Sequence, residues 1–172
     1  MKKQIRSLSH GALIAAMYFA LTHLQNLLIP NSTSWAIQFR VSEALCVLAF
    51  FTPAAIPGLS LGCFLFNLTS GAALPLDPVV GTVATTLACG GMYASRKLMV
   101  GKLPVWGLYL PAIANGLLVG LELEMYIGGG FWLNCLYVML GELGVLLTLG
   151  SLLYITMEKR GIARRLFGQQ TD

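Results

Sequence analysis

Apolar positions gather into long runs separated by short polar or proline-bearing breaks, and the breaks define the elements. A run from about Gly11 to Ile29 predicts helix 1, and Pro30 with the polar stretch NSTSWAIQF predicts a loop carrying Trp35. Next comes RVSEALCVLAFFTPAAIPGLSLGCFLFN, Arg40 to Asn67, almost wholly apolar but opened by Arg40 and Glu43 and broken by Pro53 and Pro57. The 26 residues from Glu43 to Leu68 suffice for one membrane-spanning helix of about 20 residues but not for two of full length. Each proline lacks an amide donor and biases its predecessor away from helical geometry. The stretch therefore predicts two short helices, helix 2 from about Ser42 to Phe51 and helix 3 from about Ile56 to Thr69, joined by a turn over Thr52 to Pro57. Pro75 and Pro78 then place the start of helix 4, with Asp77 in its first turn, where a carboxylate suits the helix dipole, and the helix runs to about Ser95. Helix 5 follows from about Pro104 to Tyr126, Gly128 to Gly130 form a joint, and helix 6 extends from about Phe131 to Met157. Two half-length members leave such a bundle thin on one side, and irregular backbone at membrane depth is tolerated where protein or a wet cavity covers it, so a pocket is expected there.

Composition turns this pattern into a class. With 56% hydrophobic and 10% charged residues and a mean hydropathy of +0.75, the chain reads as an all-α integral membrane protein, a six-helix transmembrane bundle in one domain over 1–172. The first apolar run is long for a signal peptide and no small-x-small site follows it, so it is kept as a helix. An even number of helices puts both termini on one side. Taking the N-terminus as cytoplasmic, Lys2, Lys3, Arg6, Arg96, Lys97, Lys102, Lys159, Arg160, Arg164 and Arg165 all fall inside, and Arg40 alone of the 11 basic residues falls outside. The expected location is the cell membrane of a prokaryote, multi-pass, with both termini cytoplasmic. Orientation accounts for the net charge of +4, so no nucleic-acid partner is needed.

Several polar residues then stand out. Asn115, Val119, Glu122 and Tyr126 share one face of helix 5, as do Phe131, Cys135, Val138 and Glu142 on helix 6. Asn115 and Glu142 each lie roughly 16 Å from the outer end of their helix, near mid-membrane, so they can meet. A carboxyl group there costs a few kcal/mol, and such residues face a bundle interior or a wet cavity. Two readings stay open for Glu142, a helix-to-helix hydrogen bond and a ligand contact; for Glu122 and Glu124 the alternatives are a ligand contact and solvation near the outer surface. Arg40 and Glu43, three residues apart, form either an ion pair that fixes the start of helix 2 or part of a pocket rim. Trp35, Trp132 and Tyr126 serve either as interfacial anchors or as stacking partners for a planar ligand. Ala12, Ala16 and Ala20 recur every fourth residue, a stripe that permits close approach within the bundle or to another protein.

The remaining chemistry is sparse. Cys46, Cys63, Cys89 and Cys135 sit singly in apolar runs, and with isolated His10 and His23 they give no metal-ligand spacing and no redox pair. The sequence holds no phosphate-binding G-x-x-x-x-G-K-[ST] loop, no G-x-S-x-G and no H-E-x-x-H. No enzyme activity, cofactor or metal is expected, and without an inverted repeat any pumping would need a partner.

The run FRVSEALCVLAFFTPAAIPGLSLGCFLFNL, with GALIAAMYFALT before it and LPAIANGLLVGLELE and GELGVLLTLG after it, resembles the QueT family of substrate-binding S components of energy-coupling factor importers, over essentially the whole chain. The resemblance implies a six-helix subunit that captures a substrate from outside and docks on a transmembrane coupling protein with two ATPase subunits. It implies that Ala12, Ala16 and Ala20 match an A-x-x-x-A docking surface on helix 1. It also implies a queuosine precursor, queuine or another 7-deazaguanine. Such a base offers adjacent N–H donors to one carboxylate, a carbonyl to an asparagine or arginine, and a flat face for stacking. Glu142, Glu122 or Glu43 would supply the carboxylate, Asn115 or Arg40 the donor, and Trp35, Trp132 or Tyr126 the stacking ring. The alternatives are an S component for another vitamin such as cobalamin, and a structural or assembly membrane protein without a ligand.

Overall fold

A computed structural model describes residues 2–30, 32, 39–71 and 73–168. Helix α1 (Lys2–Leu28) is unbroken over 27 residues. It starts well ahead of the predicted apolar run, because Lys2–Ser9 contains no helix breaker. Its buried face is Gly11, Ile14, Ala15, Tyr18, Thr22 and Gln25, at helical spacing, and Ala12, Ala16 and Ala20 are exposed on the other side.

Helix α2 (Ala55–Thr69) runs beside α1 in the same direction. A Cβ on Gly58 would stand 2.6 Å from the Gly11 carbonyl oxygen, and one on Gly62 would stand 2.8 Å from that of Ala15. Glycine at both positions therefore lets the two backbones touch. Pro57 lies in the first turn of α2 rather than in the predicted turn, since a proline there sacrifices no helical hydrogen bond.

Among the described residues the first of the two short helices is enclosed rather than forming a thin wall. Val41–Phe50 forms a 3-10 helix whose residues Ser42–Phe50 are all buried, and it contacts α1, α2 and the four elements α3 (Asp77–Ser95), α6 (Phe131–Val145), the π-helical turn Leu146–Gly150 and α7 (Ser151–Lys159). At about 2.0 Å per residue, ten residues in this geometry reach about 20 Å, where an α-helix would reach about 15 Å. The short segment therefore serves as the axis of the bundle, with Cys46 and Val47 in the same core as Leu59, Met92 and Leu146.

The remaining pieces are α4 (Val105–Leu108), α5 (Leu110–Tyr126) and α8 (Ile162–Phe167), so the helices outnumber the six predicted. Helix 5 is interrupted at Tyr109, just before Pro111 in the first turn of α5, and helix 6 passes through the π turn, whose Gly150 faces Val47 of the 3-10 helix. Among the described residues three helices are long and apolar enough to cross a membrane: Gln4–Leu28, Val105–Tyr126 and Phe131–Lys159. The described ends meet on one face, where the Arg6 guanidinium donates to the Leu166 carbonyl at 2.8 Å and His10 meets the Phe167 ring edge-on at 5.3 Å.

Gly58→Ala should lower unfolding stability in detergent by about 1–3 kcal/mol, because its methyl group meets backbone that has nowhere to go. Gly90→Ala, in open space on α3, should be neutral or gain up to about 1 kcal/mol. Equal melting temperatures for the two variants would contradict the close contact of α1 and α2.

Candidate functional site

At the end of the bundle opposite the described termini, polar groups turn inward. Arg40 precedes the 3-10 helix in extended geometry, so its side chain enters the bundle while the chain turns down the axis. It is the one basic side chain buried among the described residues, and four buried carboxyl groups accompany it: Glu43, Asp77, Glu122 and Glu142. All four lie within electrostatic reach of its guanidinium. Fully ionised, the cluster would hold three negative charges in excess, which a low-dielectric interior tolerates only with close partners.

Those partners are unevenly distributed. Glu43 accepts hydrogen bonds from the Tyr18 hydroxyl and, at 3.1 Å, from the Cys46 thiol. One turn further along α1, Thr22 and Ser42 bring their hydroxyls to 2.7 Å. Gln25 completes this seam: its carbonyl oxygen accepts from the Val41 amide at 2.7 Å, and its amide donates to Ser32 Oγ at 2.9 Å and to the Phe39 carbonyl. Three successive turns of α1 thus fix the start of the 3-10 helix and both ends of the loop before it.

On the other side, acceptors outnumber donors. Asn115 Nδ2 donates to Glu142 Oε1 at 3.0 Å, which joins α5 to α6, and Oε2 of Glu142 is buried with no donor among the described residues. Both oxygens of Glu122 are buried and likewise without a donor. Its neighbour Asp77 already accepts from the Leu74 amide at 2.6 Å, and two carboxyl groups can bond to each other only when one holds a proton. Asn67 Nδ2 donates to the Asp77 carbonyl at 3.1 Å, leaving Asn67 Oδ1 unpartnered, and Ser70 Oγ is unpartnered as well. Five buried polar atoms thus lack a partner among the described residues, and they gather on this side of Arg40. Four of them are acceptors when the carboxyl groups are ionised, so their complement would be a molecule rich in N–H donors or positively charged.

The structure places the sequence-predicted residues as follows. Arg40, Glu43, Asn115, Glu122 and Glu142 are buried together in this cluster. Tyr126 and Trp132 are exposed, Trp132 at 76%: Tyr126 is the last residue of α5, and Trp132 lies in the first turn of α6 after three glycines of positive φ. Glu124 accepts from the Gly130 amide at 2.8 Å and from Asn134, and so tightens the glycine joint. Trp35 lies outside the described residues. Tyr18, Asn67 and Asp77 were not among the site candidates. Asn67 could have been found by the rule that singled out Asn115, a polar residue inside an apolar run; Tyr18 gives no such signal, since a tyrosine is at home in any apolar helix.

Residues 8–159 match the family model described as QueT transporter. The chain belongs to the QueT transporter family. No curated protein and no solved structure gives a match. The QueT family is one of transporters rather than enzymes, and with three long apolar helices among the described residues this makes the chain a membrane protein.

Arg40→Met should cost about 3–5 kcal/mol or prevent folding, because four carboxyl groups lose their shared cation. Glu122→Gln should instead raise the melting temperature of the ligand-free protein, by relieving excess negative charge. Thermal unfolding of the two variants beside the parent checks both signs, and stabilisation by Arg40→Met would overturn the charge assignment.

Proposed function

We propose that this QueT protein is the S component of an energy-coupling factor importer and that its acceptor-rich cluster captures a queuosine precursor, queuine or another 7-deazaguanine. The observation that carries the reading is the set of unpartnered acceptors on Asn67, Glu122 and Glu142 around Arg40. A deazaguanine presents two adjacent N–H donors that one carboxylate takes together and a carbonyl that Arg40 or Asn115 can satisfy. An amine-bearing arm would then engage a second carboxylate, which suits the excess of negative charge. Glu43, held by Tyr18, positions the start of the 3-10 helix, and Trp35, outside the described residues, is the candidate stacking ring. The exposure of Trp132 and Tyr126 favours anchoring at the membrane interface over stacking.

In this reading six segments cross the membrane: α1, the 3-10 helix, α2, α3, the α4–α5 pair and the α6–α7 pair. Both ends lie in the cytoplasm, as the basic residues of that face require. Exposed Ala12, Ala16 and Ala20 provide a smooth strip on α1 for the transmembrane coupling protein, which works with two ATPase subunits.

Purified protein titrated with queuine and an aminomethyl 7-deazaguanine should show saturable tryptophan quenching and a raised melting temperature, and cobalamin should give neither. Glu142→Gln and Glu122→Gln should each weaken binding on the order of 10–100-fold, the loss of a charge-assisted hydrogen bond. Unchanged affinity in both variants, or a response to cobalamin alone, would overturn the assignment. Ala16→Trp should abolish uptake by the whole complex while leaving ligand affinity intact; loss of both would mean that the strip serves bundle packing.

A further inference from the structure

The opposite end of the molecule carries a second site. A cavity of about 490 Å³ opens between the turn after α3 and the side of α7, lined by Met99, Val100, Leu103 and Tyr154 together with Lys102, Lys159 and the carboxylate residue Glu158. A second cavity of about 290 Å³ lies on the far side of Lys159 and reaches Arg164 of α8. Around them the face carries exposed Lys97, Arg160 and Arg165, against Glu158 as the single acidic residue among the described residues there. The turn also exposes side chains that do not belong in water: Leu98 is 60% exposed and Val100 52%. The Tyr154 hydroxyl, at the cavity and near Glu158, donates among the described residues to a thioether, Sδ of Met99 at 4.0 Å. Thioether sulfur is a weak acceptor, so this O–H is available to a better one.

Apolar side chains, two lysines against one glutamate and a hydroxyl donor together match an amphipathic anion. We infer that this cavity holds the headgroup of an anionic phospholipid, with the phosphate between Lys102 and Lys159 and the glycerol and first acyl carbons on Met99, Val100 and Leu103. The inference rests on the reading that this basic face borders the inner leaflet, and the charge complementarity is local as well as general: juxtamembrane lysines and arginines are attracted to an anionic surface, and basic pockets beside membrane helices take phospholipid headgroups. Because the site joins the α3–α4 turn to α7, its occupant would brace the end of the bundle remote from the substrate.

The experiment is a thermal-shift titration of the full chain in phosphatidylcholine nanodiscs with increasing phosphatidylglycerol, repeated with soluble glycerol phosphate. The expected result is a saturable rise in melting temperature with phosphatidylglycerol and none with glycerol phosphate. Lys102→Gln with Lys159→Gln should remove more than about half of that rise. Lys97→Gln with Arg165→Gln, which removes the same charge from the same face outside this cavity, should keep most of it. Equal losses in the two double variants would replace the site with a diffuse collar. A shift with glycerol phosphate would make it a soluble-anion site, and no rise with phosphatidylglycerol would overturn it outright. The deazaguanine-induced shift, measured on the same samples, should survive in both double variants; its absence from the parent would count against the substrate reading and leave the lipid result standing.

Discussion

One buried guanidinium among four carboxyl groups is the constraint on which the rest depends. Arg40 cannot be withdrawn without leaving uncompensated charge in the interior, and it cannot neutralise the whole cluster alone. The surrounding architecture reads as a response to that condition. Tyr18, Thr22 and Gln25, one per turn of α1, fix the segment that begins at Arg40, so the guanidinium is held by the helix it introduces. Asn115 ties down one oxygen of Glu142 and leaves the other unpaired.

Close packing makes that arrangement affordable in a chain of 172 residues. The 3-10 helix spans more length per residue than an α-helix, and it occupies the axis without the bulk of a full-length member. Gly58 and Gly62 draw α2 onto α1, and Gly116 and Gly120 draw α5 onto α6. These contacts place the ends of α2 and α5 where Asn67 and Glu122 face the same interior. The seam at Gly58 lies two to three turns from Asn67 and the seam at Gly120 within one turn of Glu122, so close helix contacts coexist with acceptors that lack a partner among the described residues.

The two ends of the bundle differ in kind. One concentrates acceptors and negative charge inside the protein; the other displays lysines and arginines outside it, beside exposed apolar side chains. A membrane suits such polarity, because charge inside it needs protein partners and basic residues beside it are attracted to anionic lipid.

The sequence by itself determined the class, the helical pieces and the family. Apolar runs and proline breaks located α2 and α3 almost to the residue, since proline geometry and the hydrophobic effect act locally. The same patterning marked Glu142 and Asn115 as partners, because a polar residue in an apolar helix has few places to go. What only the tertiary structure decided is how segments of unusual geometry combine. No local signal states that Val41–Phe50 adopts 3-10 geometry and becomes the axis rather than a thin wall; that follows from contacts with six other elements at once. Nor does the sequence tell that Tyr18 serves Glu43, that Asn67 and Asp77 join Glu122, or that Trp132 turns outward. Those assignments depend on which faces of distant helices meet, and periodicity fixes a face only relative to its own helix.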